Sequence, residues 1–489
     1  MNTKSKTNSF FNLTDYQVLP EAGRSCYYNY SEIIANYCWQ KYRLFSINTI
    51  VIVEHRINKF LIYFAVKNRA HFQKVLRRFT ANLGLFRKME NYITNTCDTA
   101  IKHIDKKISG GVSDKELGDL LAYYYQKHQE IALAAMTLRL VDRGVIDYFR
   151  NLFKGQKTDE FISILSASQR KTFTTQEHLA LLKLAGEISR GSIKNNSLDY
   201  KNKIQKIHDS FFWLTLGYYD ESIKSLESYK AEIKKLIKNK PAAVLKKIND
   251  QFAREQRARN KLLKTLPIAA KRVAQTASEA SYLKDYFKFS VNKITYHGET
   301  IFKEIAKRTG FKPETIKNLS HQDALDLITK KIKFSFKKVA QYRRHSIFVS
   351  LTGKIHDCYV GPRADKYEQK FLTRGKNIGG EFQGRTACRG LVSGYAKIVH
   401  SPRDFGKVKK GEIIIVMNTG PDFVPLLHRV GAIVAEEGGI TAHVSVISRE
   451  MGIPCIVGIP RITKNIKNGD YLEINANKGS VKILKRKNN

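Results

Sequence analysis

The stretch that decides the fold of the C-terminal part reads Ala435-Glu436-Glu437-Gly438-Gly439-Ile440-Thr441-Ala442-His443-Val444-Ser445-Val446-Ile447-Ser448-Arg449-Glu450-Met451-Gly452-Ile453-Pro454-Cys455-Ile456-Val457-Gly458. A β-branched run ends in a double glycine, and a hydroxyl residue and a histidine follow at a helix start. The helix, expected over Ala442–Met451, stops at Gly452 before a second strand, Cys455–Val457. Glycines let the backbone approach a bulky anion, and the first helical N–H groups with their positive dipole end stabilise negative charge. A histidine near that end has depressed basicity and is mostly neutral near pH 7, so its free nitrogen can attack phosphorus. Taken alone, a histidine at a helix start is more often a helix cap or a packed core residue than a nucleophile.

The wider pattern resembles the phosphohistidine swivelling (mobile) domain of the phosphoenolpyruvate-utilising enzymes: pyruvate phosphate dikinase, phosphoenolpyruvate synthase and rifamycin phosphotransferase. The family's G-G-x-T-S-H-A-A-I-V-A-R-E-x-G-I-P-x-V-V-G is filled here by Gly438, Gly439, Thr441, His443, Ile447, Arg449, Glu450, Gly452, Ile453, Pro454, Val457 and Gly458. Gly390 to Ala396 resembles its G-x-x-x-G-x-A strand, Thr419 to Pro425 its T-x-P-x-x-x-P loop, and Asn468-Gly469-Asp470 with Asn477-Lys478-Gly479 its closing hairpin. Two departures stand out: Ala442 replaces the usual serine, and Val444-Ser445 replaces a small pair. The resemblance implies that His443 is the phosphoryl acceptor and donor. It implies Thr441 as helix cap or phosphate hydrogen-bond donor, and Gly438 and Gly439 as the close-approach turn. Arg449 lies six residues on, about 240° around the helix, and faces elsewhere, toward a structural ion pair or a partner domain.

Outward from the motif, residues 381–489 alternate short strands with glycines: Ala396–Val399, Glu412–Val416, Ala432–Ala435, Cys455–Val457, Tyr471–Ile474 and Val481–Leu484. This is the expected β/β/α swivelling domain, with Gly375 to Gly384 as its hinge and residues 341–380 as a mixed segment. Residues 45–340 show apolar positions at three- and four-residue spacing among Lys, Glu and Gln, so the expected architecture is multidomain with a large all-α N-terminal region. Ser113 with Glu116 reads as a capping box for a helix ending near Gly144, and Thr174 with Glu177 opens another that stops around Gly191. Pro241 begins a helix after a lysine-rich one, a helix through Ile301 to Arg308 stops at Gly310, and Ser320 with Asp323 begins one more.

Residues 171–340 resemble the helical region that precedes the histidine domain in synthase-like relatives, whereas residues 1–170 read as helices of unknown role. The resemblance implies that an acceptor binds there, with Phe212, Trp213 and Tyr218 lining its pocket; a hydrophobic helix core is the commoner meaning of such a cluster. The family's ATP-grasp domain and barrel have no recognisable counterpart, and no P-loop is present. The chain is therefore expected to bind no cofactor or metal of its own. A separate ATP-grasp or phosphoenolpyruvate-binding protein, carrying Mg²⁺ with its donor, is the expected partner, and the acceptor can be a small molecule.

The 85 Lys and Arg against 44 Asp and Glu give a formal charge of +41 over 489 residues. The excess is similar per residue before and after residue 380 and no nucleic-acid motif accompanies it, so a compositional habit is the reading and a nucleic-acid partner is not expected. No apolar stretch reaches the roughly 20 residues of a spanning helix, and no signal-peptide pattern opens the sequence, so a cytoplasmic protein without a membrane partner is expected. The six cysteines form no C-x-x-C pair and read as reduced, buried thiols. The function expected is a kinase- or dikinase-like phosphotransferase component. A regulatory scaffold with a degenerate histidine domain is the alternative from another class, and a basic nucleic-acid-binding protein the third.

Overall fold

The computed structural model describes residues 17–23, 49–56, 59–66, 70–154, 158–216, 223–317, 319, 321–329, 344–351, 354–372, 381–400, 402–417, 419, 423–436, 443–459 and 462–487. From Ala70 onward the helical spacing is realised as nine helices among the described residues: α1 (Ala70–Ala81), α2 (Gly84–Ser109), α3 (Asp114–Leu152), α4 (Thr158–Leu165), α5 (Phe173–Ser189), α6 (Leu198–Phe211), α7 (Leu226–Lys238), α8 (Pro241–Lys264) and α9 (Ile268–Thr309). Short helices Pro313–Lys317 and His321–Ile328 follow.

Their ends obey local chemistry. The capping box exists: the Glu116 amide donates to Ser113 Oγ at 3.2 Å, and the Ser113 amide donates back to Glu116 Oε2 at 2.9 Å. Thr172 rather than Thr174 caps α5, accepting from the Thr175 amide, which leaves Glu177 free to be buried for another purpose. Pro241 stands in the first turn of α8, and Gly310, at φ +73°, ends α9. Gly144 does not end α3, which runs on to Leu152. A Cβ there would lie 2.6 Å from the Phe72 carbonyl oxygen and 2.7 Å from Leu76 Cβ, so this glycine lets α1 lie directly on α3.

Contacts divide the chain into two units that do not follow the expected boundaries at 170, 340 and 380: Met1–His71 with Ala100–Leu133 and His297–Arg374, and Phe72–Thr99 with Ala134–Tyr296 and Gly375–Asn489. In the first unit the purely helical reading is corrected. Residues 17–23 (β1), 49–56 (β2) and 59–66 (β3) are strands, and with His345–Leu351 (β4) and Lys354–Val360 (β5) they form one antiparallel sheet ordered β1-β3-β2-β4-β5. Ile50-Val51-Ile52-Val53 and Phe60 to Val66 are β-branched and aromatic runs too short for a helix of this chain, and they fit a pleated surface better. Because β2 pairs with β4, Ile52 opposite Val349, the sheet forms only when distant parts of the chain meet.

The second unit holds α1, α4 to α8 and the C-terminal domain. Its helical core gathers Leu76, Phe79, Phe86, Leu138, Val145, Phe149, Leu165, Val273, Ala277 and Leu283. The domain is an eight-stranded sheet of β6 (Glu381–Gln383), β7 (Arg385–Cys388), β8 (Leu391–Val399), β9 (Ile413–Val416), β10 (Ala432–Ala435), β11 (Cys455–Val457), β12 (Tyr471–Asn475) and β13 (Ser480–Lys485), ordered β6-β13-β12-β8-β9-β10-β11-β7. The central four strands are parallel. Side chains alternate: Ile413, Ile415, Ala432 and Val434 enter one core with Leu472 and Ile474, while Ile414, Val416, Ile433 and Ala435 enter another beneath the helices α10 (Val424–Leu427) and α11 (His443–Met451). Burial on both faces is why these strands read as unbroken apolar runs. Of the expected hinge, Gly375 to Gly384, residues 375–380 lie outside the described residues. Gly144→Ala is expected to cost about 1–3 kcal/mol by forcing α1 off α3, read from the denaturant midpoint; an unchanged midpoint would refute that close approach.

Candidate functional site

Helix α11 starts at His443, between parallel strands β10 and β11. Val444 and Ile447 sit in the domain core with Ile433, Ala435, Cys455 and Val457, so the strand pair fixes where the helix begins. Gly438, Gly439 and Thr441 lie outside the described residues. At the other end, Gly452 takes φ +66° and the Gly452 and Ile453 amides donate to the carbonyls of Arg449 (3.0 Å) and Ser448 (2.8 Å). That is a Schellman stop, the reason for glycine at this position.

The C-terminal turn of α11 is anchored in the helical part of the same unit. Arg449 is buried, and its Nη1 donates to Ser163 Oγ of α4 at 3.0 Å and to the Ala387 carbonyl of β7 at 3.4 Å. Gln251 of α8 donates from Nε2 to the Arg449 carbonyl and to Glu255 Oε1, both at 3.1 Å. Glu450, also buried, accepts a hydrogen bond from the Thr175 hydroxyl of α5. Burial pushes the Glu450 carboxyl up to about 8; the Thr175 bond and Arg449 oppose that rise, and Glu255 and Asp285 add to it. Further out, Arg389 Nη2 meets Glu160 Oε2 at 2.7 Å. His428, just past α10, places Nε2 3.2 Å from Nε2 of His178 in α5. Burial, then His428 and Lys224, lowers His178 to about 3, so that ring is neutral at ordinary pH.

Residues 408–479 match the PEP-utilising enzyme mobile domain. The phosphoenolpyruvate synthase of Pyrococcus furiosus is 39% identical over 99 residues, which are 20% of this chain and 12% of that protein. The probable phosphoenolpyruvate synthase of Staphylothermus marinus is 37% identical over 130 residues, 25% of this chain and 16% of the relative. The chain therefore spans well under a fifth of the curated relatives it matches. Among solved structures, holo aconitase X of Thermococcus kodakaraensis aligns over 22% of this chain and 100% of that one, at 18% identity and a TM-score of 0.18.

Around this mobile domain, the residues expected to hold an acceptor fare differently. Tyr218 lies outside the described residues. Trp213 is buried, its ring centroid 4.8 Å from that of Phe212 and 5.6 Å from that of Phe289. Phe212 stacks on His208 at 4.9 Å and meets Tyr296 edge-on at 4.7 Å. Both side chains are thus engaged in an aromatic helix core. Among the described residues, one set of three metal-capable side chains converges: His345, Asp365 and Glu368, in the first unit, with ligand atoms within 4.8 Å of one another. His345 Nδ1 and Asp365 Oδ1 are already hydrogen-bonded there at 2.7 Å.

The residues that sequence reading missed are Thr175, Gln251 and Ser163, whose partners are remote in sequence; none carries a local signal. Trp213→Ala is expected to lose about 3–5 kcal/mol of stability, as for a core aromatic; a loss below 1 kcal/mol would restore the pocket reading. The raised Glu450 carboxyl has a sign that can be checked. The folded state binds its proton more tightly than the unfolded chain, so this group weakens folding progressively as pH rises from the ordinary value of 4.5 to about 8. Glu450→Gln keeps a neutral acceptor for Thr175, so its melting temperature relative to wild type should climb from pH 5 to pH 8. A difference independent of pH would contradict a buried, protonated Glu450.

Proposed function

We propose that the C-terminal domain is a phosphoryl carrier in which His443 takes a phosphoryl group from a donor and passes it to an acceptor. The observation that supports this most is the position of His443 as the first residue of α11, inside the stretch that matches the mobile-domain family. The relatives bearing that domain are named phosphoenolpyruvate synthases, so phosphoenolpyruvate or a nucleoside triphosphate is the donor class proposed here.

The chemistry balances in two steps. A neutral imidazole nitrogen of His443 attacks the transferred phosphorus in line; an N–P bond forms, and the P–O bond to the donor breaks, its electrons leaving with the donor oxygen. An oxygen nucleophile of the acceptor then attacks the same phosphorus, the N–P bond breaks, and the imidazole returns to its neutral form. Position and charge neutralisation supply the catalysis in such transfers. On this side, we assign the phosphoryl oxygens to the amides at the start of α11, with Gly438, Gly439 and Thr441, which lie outside the described residues, as the further phosphate-binding residues of the proposal. Mg²⁺ would neutralise the donor's phosphates at the donor site, which we assign to a partner polypeptide, and the helical region would present the acceptor.

The test is incubation of the full chain with labelled ATP or labelled phosphoenolpyruvate and Mg²⁺, with and without host lysate. Acid-labile, base-stable label that disappears in His443→Ala is the expected result, appearing only with lysate if the donor site is on another chain. Label without lysate would place donor binding in this chain. No label under any condition would overturn the carrier reading in favour of a scaffold that keeps the fold without the chemistry.

A further inference from the structure

The positive charge is similar per residue before and after residue 380 but concentrated locally. Residues 226–264 carry twelve Lys and Arg against four Asp and Glu, more than twice the chain's average density of net charge. On α8 their placement is one-sided. At 100° per residue, Lys246, Lys247, Arg254, Arg257, Lys261 and Lys264 all fall within an arc of about 100°. The remaining residues of that arc are Ala243 and Asp250. All six cations are exposed, and among the described residues none of them is held in an ion pair. The one other cation of this helix, Arg259, is buried on the opposite side, donating to the carbonyls of Leu165 (3.4 Å) and Ala274 (3.1 Å). That opposite side also carries Ile248, which is buried, while Gln251, which bonds to the Arg449 carbonyl, lies on the flank beside Lys247. One face of α8 is packed, and the other is a straight cationic row about 27 Å long. Exposed Lys234, Lys235 and Lys238 at the end of α7 extend the charge.

We propose that this row is a binding surface for the phosphate backbone of duplex nucleic acid. Apart from Ala243 and Asp250 the arc offers only long cationic side chains, which can lie along a phosphate strand. A duplex presents a regular line of negative charge, about one per 1.7 Å of its axis, and 27 Å of it offers more phosphates than the row has cations. The arc bears no aromatic residue on which unpaired bases could stack, which separates it from single-strand surfaces. Contacts of this kind position a duplex without reading its sequence. The expectation from composition that the excess charge has no localised surface is thereby replaced.

The experiment is fluorescence anisotropy of the full-length protein with 24-base-pair DNA and RNA duplexes of two unrelated sequences, across a salt series. Six phosphate contacts give a log–log salt slope of about −5 on DNA, equal for both sequences. R254E/R257E/K261E/K264E should abolish binding at salt where wild type binds, while K102E/K106E/K303E/K307E, with the same change in net charge on other exposed lysines, should retain it. If the reversed protein fails to fold by circular dichroism, R254Q/R257Q/K261Q/K264Q leaves two cations and should flatten the slope to about −2. Equal losses in the row and control variants would mean net charge alone and overturn the proposal. Absence of duplex binding at low salt, or displacement of the duplex by equimolar polyglutamate, would overturn it as well, the latter in favour of an acidic protein partner.

Discussion

The constraint on which the second unit depends is the burial of two adjacent ionisable side chains, Arg449 and Glu450, at the end of the histidine helix. Taking charge out of water costs several kcal/mol unless every polar atom finds a partner. Here the partners come from elsewhere in the unit: Ser163 of α4, Thr175 of α5, Gln251 of α8 and the Ala387 carbonyl of β7. Burial acts on both groups: it pushes the Glu450 carboxyl up to about 8 and lowers the Arg449 guanidinium, a fall that nearby Glu255 opposes. A contact of this type contributes specificity of docking: a shift of a few ångströms would strand both groups. It also ties the position of α11 to the helices, while its other end, at His443, stays with the strands.

That division of labour gives the domain two ends with different duties. The parallel strands and the apolar faces of α10 and α11 form a rigid platform, with every residue of β9, β10 and β11 buried. The opposite turn of the helix is polar and bonded to α4, α5, α8 and β7. The His178–His428 contact shares that character: two imidazoles meet nitrogen to nitrogen, a contact that holds only while at least one ring is neutral. The lowered His178 costs stability as pH falls from 6.5 to about 3, whereas the raised Glu450 costs stability as pH rises from 4.5 to about 8.

The C-terminal domain was largely legible from its residues. Ala432–Ala435 and Cys455–Val457 are strands with the bounds read from the sequence, and α11 begins one residue after the expected Ala442. Short β-branched runs punctuated by glycine leave little ambiguity. The five-stranded sheet was not legible, because β2 and β3 lie at the edge of a long helical texture and β2 finds its partner β4 almost 300 residues later. Gly144 was misread as a stop because a glycine that ends a helix and one that admits a neighbour look alike in sequence. The docking residues were hidden for the same reason as the cationic row was underrated: both depend on which face of a helix is packed, and no local pattern states that.

The phosphoryl-carrier account stands or falls on where a phosphoryl group resides in the chain. Tandem mass spectrometry of the full-length protein, kept at alkaline pH after exposure to donor, Mg²⁺ and lysate, locates it directly. The account predicts a phosphoryl group on the His443 imidazole. Modification confined to hydroxyl side chains, or none at all, would contradict it.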